Sequence, residues 1–163
     1  MPNFYVYFIS TLPSLNFLQK PPFDFARFSE LCQRFLAPAE LELVANGGLP
    51  EWQNFDLGLR NELVKIRAGR KHLDPAKYLR QQETADLGLA HLAVGATRNP
   101  SPLEVEKQLD LARWNFLDEL SGRHYFDLEA VIIYGAKLRI LERWEKIENA
   151  DQDKLMEAVL TYS

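Results

Sequence analysis

Three histidines, His72, His91 and His124, and a single cysteine, Cys32, are the residues of this chain best suited to bind a metal or attack a substrate. Their spacing supports neither. A zinc protease needs two imidazoles and a carboxylate as in His-Glu-x-x-His, and a di-iron bundle needs Glu-x-x-His; neither pattern occurs. His72 and His124 fall between expected helices, where an exposed or capping role is expected. Asp151-Gln152-Asp153 has the opening of a calcium loop but not its glycine or distal glutamate. A serine or cysteine nucleophile needs a base and an oxyanion site, yet there is no Gly-x-Ser-x-Gly, and Cys32 lies on an apolar stripe between Leu31 and Phe35. A buried, inert thiol is expected there. Asn46-Gly47-Gly48 lacks the Lys-Ser or Lys-Thr of a phosphate loop. These residues predict no catalytic site, no metal and no cofactor.

Two charged groups remain. Arg67, Arg70 and Lys71 cluster with His72, near Lys77 and Arg80, and Arg123 has a similar setting. They could contact a phosphate or an acidic partner surface; the competing reading is a solvated face that also offsets a helix dipole. Asp110, Arg113, Trp114, Asp118 and Glu119 lie along one helix. Asp110 and Arg113 are spaced to pair at i, i+3, whereas the adjacent Asp118 and Glu119 diverge and are poorly placed for acid-base work. Arg113 and Trp114 with Asp118, and likewise Arg143 with Trp144, are candidate interface anchors, since Arg and Trp dominate binding energy at interfaces.

The elements that carry these groups are mostly helices. Asp24 reads as an N-cap before Phe25, Phe28, Leu31, Cys32, Phe35 and Leu36 at helical spacing. Pro38 suits the first turn of a short helix ended by Asn46-Gly47-Gly48. A third helix is expected from Phe55 to Ala68, with Gly69 as its stop. A fourth starts at Asp74-Pro75 and runs to Val94, with Tyr78, Ala85, Leu89 and Leu92 inward. Ser101-Pro102-Leu103-Glu104 predicts a capping box that opens a fifth helix, continuing to Leu120. Asp127 caps a sixth, apolar around most of its circumference and therefore central in its bundle; Gly135 within it implies a close helix-helix approach. Residues 151–160 read as a short final helix or tail. Gly69-Arg70-Lys71-His72-Leu73-Asp74 is echoed at Gly122-Arg123-His124-Tyr125-Phe126-Asp127, consistent with two similar helical hairpins or with common cap chemistry used twice.

The apolar start, Phe4-Tyr5-Val6-Tyr7-Phe8-Ile9, has no basic residue before it and is too short to span a membrane, so neither a signal peptide nor membrane insertion is expected. Its β-branched and aromatic content predicts an extended segment tucked into the core, or a strand that pairs with a partner chain.

At 163 residues the chain has the length of one domain, with 47% hydrophobic and 26% charged residues. A net charge of -4 argues against nucleic acid, which requires a concentrated basic face. With one cysteine there is no intrachain disulfide, which fits a reducing compartment. The expected fold is all-α: a single domain of six or seven helices built from hairpins, with an extended arm and loop over 1–22, a helical core over 23–148 and a terminal segment over 149–163.

Three stretches together resemble a known family: Lys20-Pro21-Pro22-Phe23, Leu59-Arg60-Asn61-Glu62-Leu63, and Glu106 to Leu120, continuing through Tyr125-Phe126-Asp127 to Trp144. Arg-Trp-Asn-Phe-Leu-Asp-Glu-Leu and Lys-Leu-Arg-Ile-Leu-Glu-Arg-Trp are the most specific parts. The family is bacterial and helical, without an assigned activity, and its genes often sit within V-type ATPase operons. The resemblance implies a non-catalytic accessory, assembly or stalk-associated role that binds ATPase subunits, in the cytoplasm or peripheral to the inner membrane. By analogy it points to the helical C/d-type subunit of that enzyme. The alternatives are a small-molecule or phosphate-binding protein built on the basic loops, and a self-associating helical module that exchanges its N-terminal arm.

Overall fold

The computed structural model describes residues 2–77, 79 and 87–161. Among these residues it is all-α, with seven α-helices, one 3-10 turn and no strand. The chain divides into two compact units, one formed by residues 1–47 with 120–163, the other by 48–119.

In the first unit, α1 (Pro2–Thr11), α2 (Phe25–Gln33) and α3 (Pro38–Asn46) each pack on α7 (Leu128–Thr161). Local chemistry sets most of their ends. Asp24 Oδ1 accepts the Arg27 amide at 2.8 Å, capping α2. Pro38 occupies the first turn of α3, and Gly47 ends it at φ 60°, a conformation that glycine adopts without a steric penalty. Glu40 accepts the Ala37 amide at 2.9 Å, the half of a capping box that needs no hydroxyl at the cap. Asp127 Oδ1 accepts the Ala130 amide at 2.9 Å to open α7.

The expected extended segment at the N-terminus is instead the helix α1. Strand propensity is a weak preference that packing overrides. Here a helix puts Phe8, 2% exposed, between Phe28 and Phe35, with ring centroids 6.4 and 4.8 Å away. Phe28 is the hub. It also meets Phe23, Phe25 and Tyr134, and the Tyr134 hydroxyl donates to the Pro13 carbonyl at 2.7 Å, tying the proline loop to α7. Cys32 is fully buried, and burial pushes its thiol up to about 12, so the side chain is inert as expected.

The close approach expected at Gly135 is present. A Cβ there would lie 3.0 Å from Phe28 and 3.3 Å from Phe25. The final segment departs from expectation: α7 runs unbroken through 34 residues, about 51 Å at 1.5 Å per residue. After Gly135 it contains no glycine or proline, and Asn149 and Asp151 alone do not stop a helix otherwise rich in Leu, Glu, Lys, Ala and Arg.

The second unit contains α4 (Pro50–Arg70), α5 (Leu87–Thr97) and α6 (Pro102–Ser121) up to Glu119. Its core is Leu59 and Leu63 of α4, Leu89, Ala93 and Ala96 of α5, and Leu109 of α6, flanked by Phe55, Ile66, Leu92 and Val105. The small Ala93 and Ala96 let α5 lie close on α4. Helix α4 begins five residues earlier than expected because Pro50 takes its first position. It also passes through Gly69. The stop is His72 at φ 55°, where the Leu73 amide donates to Ala68 O at 2.9 Å and the His72 amide to Gly69 O at 3.3 Å. That is a Schellman turn with histidine in the glycine position, so the glycine of the Gly69/Gly122 echo does not end both helices. At α6, Ser101 Oγ accepts the Glu104 amide at 3.4 Å, but the Ser101 amide donates to Asn99 at 2.9 Å instead of to Glu104. The expected helix from Pro75 shows a 3-10 turn at Pro75–Lys77; Tyr78, Ala85 and Arg80 lie outside the described residues.

Gly135→Ala should lower stability despite its better helix propensity. The propensity gain is about 1 kcal/mol, while crowding a ring fixed on every side costs about 1–3 kcal/mol. A urea midpoint that moves down, and further down for Gly135→Leu, is the expected result; a midpoint that rises would show that Phe28 gives way.

Candidate functional site

Among the described residues, the most enclosed polar group lies in the second unit. Asp110 on α6 is 1% exposed, and Arg113 one turn later donates to it from Nη1 at 2.7 Å. Arg113 Nε also donates to Asp56 on α4 at 2.8 Å, and Asp56 meets Arg60 at 3.0 Å. Burial alone would lower the Arg113 pKa, but the Asp56 and Asp110 carboxylates outweigh it and hold the guanidinium above its ordinary value. The expected i, i+3 pair is therefore real. Its third member, Asp56, is 57 residues away and carries no signal in local spacing. The cluster joins two helices with charges already matched, which suits a structural pin rather than acid-base chemistry.

Beside it, Phe55, Gly88, Leu89, Leu92, Ala112, Asn115, Phe116 and Glu119 line an open groove, with Phe55 stacked on Phe116 at 4.1 Å. Its polar groups are one amide and one carboxylate, which provide no proton-transfer pair.

Within the second unit the described basic residues divide. Arg70 donates to the Thr97 carbonyl at 3.1 Å. Arg67 and Lys71 border a shallow depression of about 200 Å³ floored by Val64, Ala68 and Leu73. Arg123 belongs to the first unit.

In the first unit, His124 Nδ1 lies 2.8 Å from Asp127 Oδ2, and Glu129 completes a group whose ligand-type atoms fall within 4.8 Å of one another. Asp127 follows His124 by three residues, a spacing that was visible in the sequence. Asp127 uses its other oxygen to cap α7, so the histidine reads as a brace on that cap. Nearby, the Tyr5 hydroxyl donates to Glu40. That bond, then burial and the charges of Glu40, Glu129 and Asp127, push Tyr5 up to about 12, while the same bond and the Ala37 amide lower Glu40.

The candidate interface anchors divide. Trp114 and Trp144 are 5% and 3% exposed, and Arg113 is enclosed by its carboxylates. Trp144 lies beneath the turn of Leu18, Gln19 and Lys20, where Leu18 holds φ 63°. Asp118 and Arg143 are exposed. The larger accessible apolar feature is the outer end of α7, the segment whose sequence reads as a short final helix or tail. Residues 149–160 are all exposed, and Leu155, Met156, Val159 and Leu160 are each at least 65% exposed. Among the described residues, no helix is long and apolar enough to cross a membrane.

A family described as a protein of unknown function (DUF2764) matches residues 89–161, from α5 to the end of α7. The chain is similar to that family over this stretch, which contains both of the most specific motifs, at 113–120 and 137–144. The description assigns no activity and names no partner. No curated protein and no solved structure matches the chain.

Arg113→Ala strands a buried carboxylate and should cost about 3–5 kcal/mol in chemical denaturation, whereas Asp110→Leu with Arg113→Met should recover most of it. If the single variant unfolds like wild type, the pin is not structural.

The Tyr5–Glu40 bond predicts a pH-dependent contribution. A raised folded-state tyrosine pKa contributes stability that is complete below pH 10.0 and lost as pH climbs through about 12. A lowered Glu40 pKa contributes above 4.5 and is lost as pH falls through the folded value. The stability gap between wild type and Tyr5→Phe should be widest near neutrality and close toward both extremes; a gap of constant size would refute it.

Proposed function

We propose that this protein is a non-catalytic accessory or assembly component of a V-type ATPase that works through protein–protein contacts. The observation that supports this reading is the outer end of α7, an accessible helix on which Leu155, Met156 and Val159 are each at least 65% exposed. Soluble proteins seldom leave contiguous apolar surface exposed unless it meets a partner, and an amphipathic helix is a common docking element. The identity of the partner rests on the motif resemblance at Arg113–Leu120 and Lys137–Trp144, which points to an ATPase operon product. A cytoplasmic site, at the membrane only through the ATPase, belongs to the same proposal.

A phosphate-binding role has less support, since Arg67 and Lys71 border an apolar floor and Arg70 holds a carbonyl.

The test is affinity recovery of the tagged protein from its native cells. ATPase subunits should co-purify and should be lost with Leu155→Asp plus Val159→Asp. Both side chains are already exposed, so the variant should keep its stability to within about 0.5 kcal/mol. Trp114→Ala or Trp144→Ala would be poor probes, because emptying a buried indole site costs about 3–5 kcal/mol and confuses binding with folding. Failure to recover any ATPase subunit from cells that express the enzyme would overturn the proposal.

A further inference from the structure

The α7 stripe has a chemical complement on the surface of the same protein. Along the outer end of α7, Leu155, Met156 and Val159 recur at i, i+1 and i+4 and so share one face of the helix. Acidic residues flank them: Asp151 lies on one side of the stripe and Asp153 on the other, with Lys154 as the single base between residues 148 and 160. A partner surface should therefore be apolar at its floor and basic at its rim.

The depression at the end of α4 has that character. Its floor is Val64, Ala68 and Leu73, and its rim is Arg67 and Lys71. The Schellman turn creates it, because the Leu73 amide folds back to Ala68 and leaves the Leu73 side chain 47% exposed beside the helix. Arg67 and Lys71 make no ion pair among the described residues. The volume of about 200 Å³ is on the scale of side chains, not of a domain.

We propose that the outer end of α7 docks in the α4 depression of a second copy of this chain, with Leu155 and Val159 against Leu73 and the acidic flanks against Arg67 and Lys71. The contact is heterologous: two different surfaces meet. It is small, so the association is weak and reversible, and exposed ion pairs at its rim make it sensitive to salt. The inference goes beyond the proposed function, since it concerns the protein without its partner. It shares with that reading only the assumption that the α7 stripe is a docking element. An ATPase subunit and a second copy would compete for it.

Sedimentation of the purified 163-residue chain, from micromolar to near-millimolar concentration, tests this without the ATPase. Concentration-dependent association is expected, weaker at high salt. Val159→Asp and Lys71→Glu should each weaken it by about tenfold or more, and Asp153→Lys should restore part of what Lys71→Glu loses. Mixing the two single variants is decisive. One keeps its depression and the other its helix end, so an intact junction forms between them and association returns toward the wild-type value. A chain that stays monomeric throughout overturns the inference and leaves the pull-down result untouched. Association that ignores Lys71→Glu, or that is not rescued by mixing, overturns it in favour of a contact between two α7 ends. Circular dichroism of each variant confirms that the fold is retained.

Discussion

Phe28 rests against the bare backbone of Gly135, and the arrangement of the first unit depends on that contact. Because residue 135 has no side chain, α2 can approach α7 closely enough for a phenylalanine ring to be fully buried at the crossing. Once the ring is there it presents faces and edges to its surroundings. Phe8 from α1, Phe23 and Phe25 at the start of α2, and Tyr134 from α7 all gather on it. The Arg139 guanidinium lies 3.9 Å from the centre of the Phe25 ring, so the cluster carries a cation on its outer side. An N-terminal segment rich in aromatic and β-branched residues becomes a helix in this setting, because a helical face delivers Phe8 to the cluster.

The second unit relies on a different device. Its apolar core is built from aliphatic residues and alanines, which pack well but specify register weakly. Arg113 supplies direction. With one carboxylate on its own helix and another on α4, it allows only those rotations of α6 that satisfy both. Such a group adds little net stability compared with an apolar replacement, yet is costly to break. Its value lies in fixing how two helices face each other.

What the sequence made legible follows from the range of the interactions involved. Asp24 and Asp127 accept amides three residues on, Pro38 and Gly47 act through their own backbone conformation, and each does what its neighbours imply. The i, i+3 pair of Asp110 and Arg113 was readable for the same reason. The α4 stop at His72 was not, because a non-glycine residue at positive φ is held by the loop around it rather than by its own preference. Asp56 was invisible as the second partner of Arg113, since nothing local links residues 57 apart. The burial of Trp114 and Trp144 is hidden for a related reason: tryptophan suits an interface as well as an interior, and only tertiary packing shows that both are enclosed. The helical character was thus available from periodicity and caps, whereas the candidate site depended on which faces packing left uncovered.

Helix α7 brings these points together. Up to Trp144 its apolar residues are distributed around most of the circumference, and α1, α2 and α3 take up that surface. Past Asn149 the pattern changes. The apolar residues narrow to one stripe, acids appear on both flanks, and every residue through Leu160 is exposed. A helix that needed only to finish a core could stop at Ile147, the last partly buried apolar residue before the exposed stretch. Continuing it as a rigid rod, without a glycine or proline hinge, holds the stripe at a fixed angle to the packed part of the unit. A preset orientation lowers the conformational entropy lost on binding. The same rigidity restricts which surfaces the stripe can reach, so the end of α7 is suited to selecting a partner by geometry as well as by apolar area.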